Sequence, residues 1–113
     1  MQWRIDFHKE VYKEFEKIGK VDSLFIIDKL KEFEKSYSEE FEKELIKIKK
    51  IKKLKTKSNI YRLRLRTFRV LYAKNNGILR LLVVRVRHRK NAYQNLETLD
   101  NIVENFENKI EQE

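Results

Sequence analysis

The chain contains no cysteine and no proline, only two glycines, and a single Met and a single Trp among 113 residues. Without cysteine there is no disulfide framework, zinc–thiolate site or thiol nucleophile. His8 and His88 are the only imidazoles, so no protein-bound catalytic metal is expected. The lack of Pro and near lack of Gly leave no flexible interdomain linker, and no internal repeat is visible, so residues 1–113 read as one domain. At this length folding buries about 65% of the unfolded chain's surface, enough for one modest core. The function is therefore expected on the surface or in a shallow groove. No apolar run approaches the roughly 20 residues that cross a bilayer, and the opening MQWRIDFHKE has no secretory h-region. The expectation is a soluble cytoplasmic protein with no membrane partner.

Acidic residues are scarce in one half of the chain only. Between Lys43 and Lys90 there are 18 Lys or Arg against the single acid Glu44, while the remainder has 9 basic and 17 acidic residues. The formal charge of +9 thus conceals a block of 48 residues that carries all of the excess. From residue 60 onward this block is interleaved with Tyr, Leu, Phe and Val at strand spacing, so it folds and its charges converge. Such a surface fits a polyanion, with nucleic acid first and an acidic protein segment second. The run KELIKIKKIKKLKTK fits a solvated face equally well. The strand arginines fit phosphate better, because Arg recurs where Lys would serve solubility and its planar fork suits phosphate oxygens.

Trp3, Ile5 and Phe7 alternate with Gln2, Arg4 and Asp6, which predicts a short first strand with one buried face. Val11, Tyr12, Phe15 and Ile18 fall at helical spacing after His8, which caps or precedes that helix, and Gly19 follows as a C-cap. Asp22 is the expected N-cap of a second helix bearing Phe25, Ile26, Leu30 and Phe33. Lys35 to Lys57 stays open: Ser38 suits a helix through Phe41, Leu45 and Ile48, and Ile51 and Leu54 fit helix or strand. Tyr61, Leu63 and Leu65 then alternate with Arg62, Arg64 and Arg66, which predicts three guanidinium groups on one face of a strand. Arg69 lies in the next strand with Phe68, Val70, Leu71 and Tyr72. Asn75, Asn76 and Gly77 are the expected positive-φ residues of a tight hairpin. Ile78 to Val86 reads as a central strand with Arg85 and Arg87 emerging at its end. From Gln94 to Glu113, Leu96, Leu99, Val103, Phe106 and Ile110 form a helical stripe opposite Glu97, Asp100, Glu104, Glu107 and Glu111. This acidic helix either completes the core or lies as a mobile flap over the basic face. An ordinary structural reading pairs the strand arginines with its glutamates.

In the segments IDFHKEVYKEFEKIGK, KKLKTKSNIYRLRLRTFRVLYAKNNG and LLVVRVRHRKNAY, in that order across most of residues 3–93, the chain resembles the RelE/ParE superfamily of toxins from toxin–antitoxin pairs. The resemblance is to the RelE-like branch. It implies an α+β fold: an N-terminal strand and helical hairpin packed on a small antiparallel sheet of about four strands, with a C-terminal amphipathic helix over 93–113. It further implies a toxin held inactive by a RelB-like antitoxin. Toxins of the RelE branch cut messenger RNA in the ribosomal decoding site, and those of the ParE branch poison DNA gyrase. RelE-like cleavage uses the substrate's own 2'-hydroxyl as nucleophile on the adjacent phosphate and needs neither metal nor cofactor.

Carried over by motif, YRLRLR puts Arg62 and Arg64 at the family's basic strand positions, FRVLY puts Arg69 at its phosphate-contacting arginine, and HRKNAY supplies Arg89 and Tyr93. Arg69 and Arg89 are assigned to the scissile phosphate, and Tyr93 to stacking on a base or donating to the leaving oxygen. The best-known pattern has Lys where Arg62 and Arg64 stand here. Arg, with a pKa above about 12, is a poor general base. The base is left among His88, Lys53 and Lys55, with His88 attractive because imidazole titrates near neutrality; a histidine beside two arginines also fits a simple bond to the backbone. Lys53, Lys55, Arg66, Arg85, Arg87 and Lys90 are expected to contact RNA around this centre. Two other functions fit the resemblance: a ParE-like gyrase inhibitor without nuclease activity, and a degenerate toxin that only binds antitoxin.

Overall fold

A computed structural model describes residues 2–110. The end of the expected C-terminal helix, Glu111 included, lies outside the described residues. Strand β1 (Arg4–Phe7) leads into α1 (Lys9–Ile18), α2 (Lys20–Ser36) and α3 (Glu39–Lys47). Four further strands follow: β2 (Ile51–Lys53), β3 (Tyr61–Leu65), β4 (Phe68–Asn75) and β5 (Arg80–His88). A 3-10 turn over Leu96–Leu99 then enters α4 (Asp100–Glu107). The α+β architecture is the expected one, with five strands in the order β1-β5-β4-β3-β2 and a single parallel pair, β1 with β5. The fifth strand, β2, comes from the lysine-rich stretch whose pattern favoured neither helix nor strand.

Local chemistry explains most of the boundaries. His8 caps α1, its Nδ1 accepting the Glu10 N–H at 3.3 Å, and Ser38 caps α3, its Oγ accepting the Phe41 N–H at 3.0 Å. Asp22 does not cap α2. Gly19 both closes α1 and opens α2, at φ 97° and ψ 163°, a conformation essentially closed to other residues. The helical hairpin therefore turns on one residue, which leaves Asp22 inside the first turn of α2. The β4–β5 connection also differs from expectation. It spans four residues, and the left-handed conformation falls on Leu79 (φ 53°), not on Asn75, Asn76 or Gly77. Asn75 organises the turn through its side chain, Oδ1 accepting the Gly77 and Ile78 N–H groups at 3.0 and 3.3 Å.

Each face of the sheet has its own core. On one face, Ile51, Leu63, Leu65, Val70, Tyr72, Leu81, Val83 and Val86 pack under Val11, Ile26, Leu30 and Phe33 of α1 and α2. On the other, Ile60, Leu71, Ala73 and Val84 pack under Leu99, Val103 and Phe106. α4 is thus a packed helix, tied down by Asn75 Nδ2, which donates to the carbonyls of Phe106 and Lys109 at 2.8 Å each. Ile110, expected in the apolar stripe, lies beyond the helix end and is exposed. On the β1 side of the sheet two open backbone donors are taken by helix carboxylates: Glu34 accepts the Ile5 N–H at 2.7 Å, and Glu14 accepts the N–H of Val86, on β5 past the end of β1, at 3.0 Å. Among the described residues no helix is long and apolar enough to cross a membrane.

Candidate functional site

β3 and β4 are joined by a two-residue turn, Arg66–Thr67, which fixes the register Arg64 opposite Arg69 and Arg62 opposite Leu71. β5 continues both rows, because Arg69 pairs with Arg87 and Leu71 with Arg85. β2 extends the second row through Lys52 opposite Arg62. Two adjacent rows result, Arg64–Arg69–Arg87 and Lys52–Arg62–Leu71–Arg85. With neighbouring Cα atoms about 5 Å apart across strands, the three arginines of the first row lie within about 10 Å of one another.

A bulge in β5 makes this alignment. The register slips between Leu71 and Tyr72, which face Arg85 and Val83, so that Val84 is the extra residue. Without the slip Arg85 and Arg87 would share the face of Leu81 and Val83. With it they fall in phase with Leu71 and Arg69, while Val86 and His88 turn to the opposite face. Leu99, Val103 and Phe106 cover this sheet face only as far as Leu71 and Val84, which leaves the Arg64–Arg69–Arg87 row outside the second core.

Like charges in one row repel, and the ways these groups are satisfied set what each has left to offer. Arg69 Nη1 donates to the Arg66 and Phe68 carbonyls at 2.9 and 3.0 Å, which orients the guanidinium without neutralising it. Arg62 Nη2 donates to the Lys49 carbonyl at 2.8 Å, and its Nε is buried with no partner among the described residues. Arg64 is exposed. Among the described residues no carboxylate pairs with Arg62, Arg64 or Arg69, and the expected pairing with the C-terminal helix is not made by its described glutamates. The α4 carboxylates go elsewhere: Asp100 accepts from Ser58 Oγ at 2.6 Å and Glu107 from Asn59 Nδ2 at 2.8 Å. Arg87 is the exception in its row, its Nε bonded to Glu14 at 2.5 Å.

Several expected site residues lie elsewhere. His88 pairs with Phe68 on the face of α1 and α2, edge-on to that ring, and its Nδ1 accepts the Lys90 N–H at 3.2 Å. The backbone reading of this histidine is the one observed. Arg66 stacks over Phe25 of α2, 3.9 Å from the ring centroid, away from the rows. Lys53 pairs with Tyr61, one residue out of phase with Arg62, so Lys52 holds the place sought for Lys53. Lys55 and Lys90 are exposed in loops, 54–60 and 89–95. Arg85 is almost wholly buried, 3% exposed, and donates to main-chain carbonyls, so it offers no free surface to RNA. Burial, reinforced by neighbouring Arg87, lowers its pKa, against the pull of Glu14 and Glu97.

Arg89 and Tyr93 occupy the loop after β5. The Arg89 N–H donates to Thr67 O at 2.7 Å, which sets this exposed residue beside the β3–β4 turn and next to Arg69. Tyr93 is 43% exposed, between Ala92 and Gln94, whose carbonyls both accept from Arg85 Nη1. The arrangement offers a shallow cationic face suited to gripping a phosphate chain, with an exposed tyrosine on the loop that follows its third strand. Sequence reasoning missed Lys52 and gave Arg87 a peripheral part. A β2 of three residues with lysine on both sides of its phase shows no period, and a bulge leaves no local signal.

No protein-family model matches the chain, and no curated protein matches it. Among solved structures it is similar to the archaeal RelE–RelB complex from Pyrococcus horikoshii OT3, with 23% identity and a TM-score of 0.59 over 81% of this chain and 100% of that one. It is also similar to the toxin–antitoxin complex RelBE2 from Mycobacterium tuberculosis, with 18% identity and a TM-score of 0.53 over 79% of this chain and 100% of that one. The strand, one-residue helical hairpin and mostly antiparallel sheet of this chain are therefore a RelE-like fold.

Proposed function

We propose that the chain is the toxin of a toxin–antitoxin pair and a ribosome-dependent endoribonuclease. The observation that carries this reading is the in-register row Arg64–Arg69–Arg87, in which the first two guanidinium groups have no carboxylate partner among the described residues, with Tyr93 on the neighbouring loop. In the proposed reaction the 2'-oxygen of the message attacks the adjacent phosphorus and the bond to the 5'-oxygen breaks. One product ends in a 2',3'-cyclic phosphate and the other begins with a 5'-hydroxyl. Arg69, flanked by Arg64 and Arg87, stabilises the extra negative charge on the phosphorane-like transition state. Arg89 steadies the neighbouring phosphate from the β3–β4 turn. The Tyr93 phenol donates the proton that the departing 5'-oxygen needs, or stacks on the base beside it. The proton of the 2'-hydroxyl needs an acceptor; the two rows otherwise hold arginines and Leu71, which makes Lys52 the candidate among them.

The same reading includes an antitoxin chain and the ribosome as partners. Tyr12, Val21 and Leu24 are exposed on the helical hairpin, an apolar surface for an amphipathic antitoxin helix, and the unpaired arginines would attract its carboxylates. A translation reaction with purified ribosomes, read by primer extension on the message beside a gyrase supercoiling assay, tests the proposal. Cuts confined to ribosome-occupied codons support it. An intact message sinks it, and linearised plasmid with intact message would identify a gyrase inhibitor instead.

A further inference from the structure

Arg85 poses a question that phosphate binding does not answer. A guanidinium 3% exposed has lost most of its hydration, which is costly unless its donors are taken. No carboxylate among the described residues pairs with it. Its Nη1 instead donates to two carbonyls of one loop, Ala92 O at 3.0 Å and Gln94 O at 2.5 Å. These two residues flank Tyr93. Ala92 is fully buried while Tyr93 is 43% exposed, so the loop is pulled down on either side of the tyrosine and the tyrosine is left outward. The turn's other bonds are local to it: Lys90 N–H to His88 Nδ1 at 3.2 Å, Asn91 N–H to His88 O at 2.9 Å, and two long contacts at 3.4 Å from Gln94, its N–H to Asn91 O and its Nε2 to Asn91 Oδ1. Asn95, at φ 50°, then redirects the chain into the Leu96–Leu99 turn.

We propose that Arg85 is a positioning residue: from beneath the loop it holds the main chain on both sides of Tyr93 and so sets where the phenol stands relative to the arginine row. This deepens the nuclease reading and rests on it for the role of Tyr93, while the fixing of the loop stands on the geometry alone. The planar Nη1 amino group of Arg85 aims its two N–H bonds in fixed directions at the two carbonyls, which a lysine ammonium on a flexible stem meets less rigidly. The bulge at Val84 belongs to the same device, since it turns Arg85 to the face on which the loop lies.

Two readouts on the full chain decide the matter. In the ribosomal cleavage assay, Arg85→Met is expected to lower kcat about 30-fold with KM within about threefold, Arg85→Lys is expected to recover part of the loss, and in a Tyr93→Phe background Arg85→Met should cost less than about threefold more. A merely structural arginine would cost the same factor in both backgrounds, which would overturn the proposal. Amide hydrogen exchange at 91–95 is expected to speed at least tenfold in Arg85→Met relative to the wild type, with exchange in β4 unchanged. Unchanged exchange at 91–95 overturns the proposal whether or not the wild type cuts RNA. A wild type that cuts nothing, with exchange accelerated in the variant, overturns the nuclease reading and upholds Arg85 as the anchor of this loop. If Arg85→Met does not fold, Arg85→Lys carries both measurements, with intermediate effects expected and wild-type values in both overturning the proposal.

Discussion

Single side chains here separate into those that hold the fold and those left free to act, and burial with partner chemistry sorts them better than charge does. Glu42 is the clearest structural case. Its Oε2 accepts from Tyr37 and Tyr72 at 2.9 and 2.5 Å, its Oε1 from Lys74 at 2.8 Å, and its side chain is 4% exposed. Burial, with Glu42 beside each hydroxyl, pushes both phenols well above their ordinary range. Burial would lower Lys74, but its bond to Glu42 outweighs this and raises it. A group whose folded pKa is raised stabilises the protein below its unfolded pKa and loses that contribution as pH climbs towards the folded value. Stability should therefore fall above about pH 10, where unfolded tyrosine and lysine titrate. Tyr72→Phe should cost about 1.5–3 kcal/mol at pH 7, a deficit that narrows above pH 11, read by urea unfolding across pH. At the site, Arg69→Ala is expected to lower message cleavage by a factor of about 100 to 1,000, as for loss of one donor to a transition-state anion. His88→Ala should stay within about threefold, because its ring lies on the opposite sheet face. A His88→Ala variant as defective as Arg69→Ala would overturn the assignment of faces.

At the level of elements, two joints carry unusual weight. Gly19 links α1 to α2 with no spare residue, and a Cβ added there would meet nothing within 4 Å. The penalty of Gly19→Ala is therefore conformational alone, about 1–3 kcal/mol, and should appear as a lower midpoint in denaturant with the slope unchanged. Asn75 ties the β4–β5 turn to the end of α4 with one amide, donating outward to two helix-end carbonyls and accepting from two turn N–H groups. Asn75→Ala leaves these buried groups unpaired. It should speed amide exchange in α4 far more than in β5, and equal effects on both would show that the helix is held by its apolar stripe alone. Much of this was legible beforehand. Alternation marked β1 and β3, 3.6-residue spacing marked α1 and α2, and Ser38 marked the start of α3. The boundaries that escaped were those where a single residue did the work expected of a motif: Gly19 replacing the Asp22 cap, and Leu79 taking the positive φ that Asn and Gly seemed to offer.

For the molecule as a whole, the basic block of residues 43–90 supplies four of the five strands of a single sheet, and the acids Asp100, Glu107, Asp6, Glu14 and Glu42 are engaged by Ser58, Asn59, Arg80, Arg87 and Lys74. If about five phosphates are contacted, binding of single-stranded RNA should weaken roughly a hundredfold between 50 and 200 mM salt, with a log–log slope near −3.5. Filter binding across salt measures this, and a flat profile would mean that the cationic face has no polyanionic partner. Arg64→Gln should reduce the slope by about one contact without changing the melting temperature, since the side chain is exposed and has no carboxylate partner among the described residues.

Composition and periodicity by themselves determined the first strand, the first two helices, the concentration of positive charge in the second half of the chain, and the strand that presents Arg62 and Arg64, while the fold class was what the family resemblance implied. These are local properties, written in spacing and side-chain type. Which cations stand together was decided only by tertiary pairing. A two-residue turn set Arg64 against Arg69, a bulge of one residue rotated Arg85 and Arg87 onto their face and His88 off it, and a three-residue edge strand chose Lys52 over Lys53. Because side chains alternate every residue along a strand, a slip of one position exchanges the two faces of a sheet, and the energy that selects the register comes from partners far away in the chain.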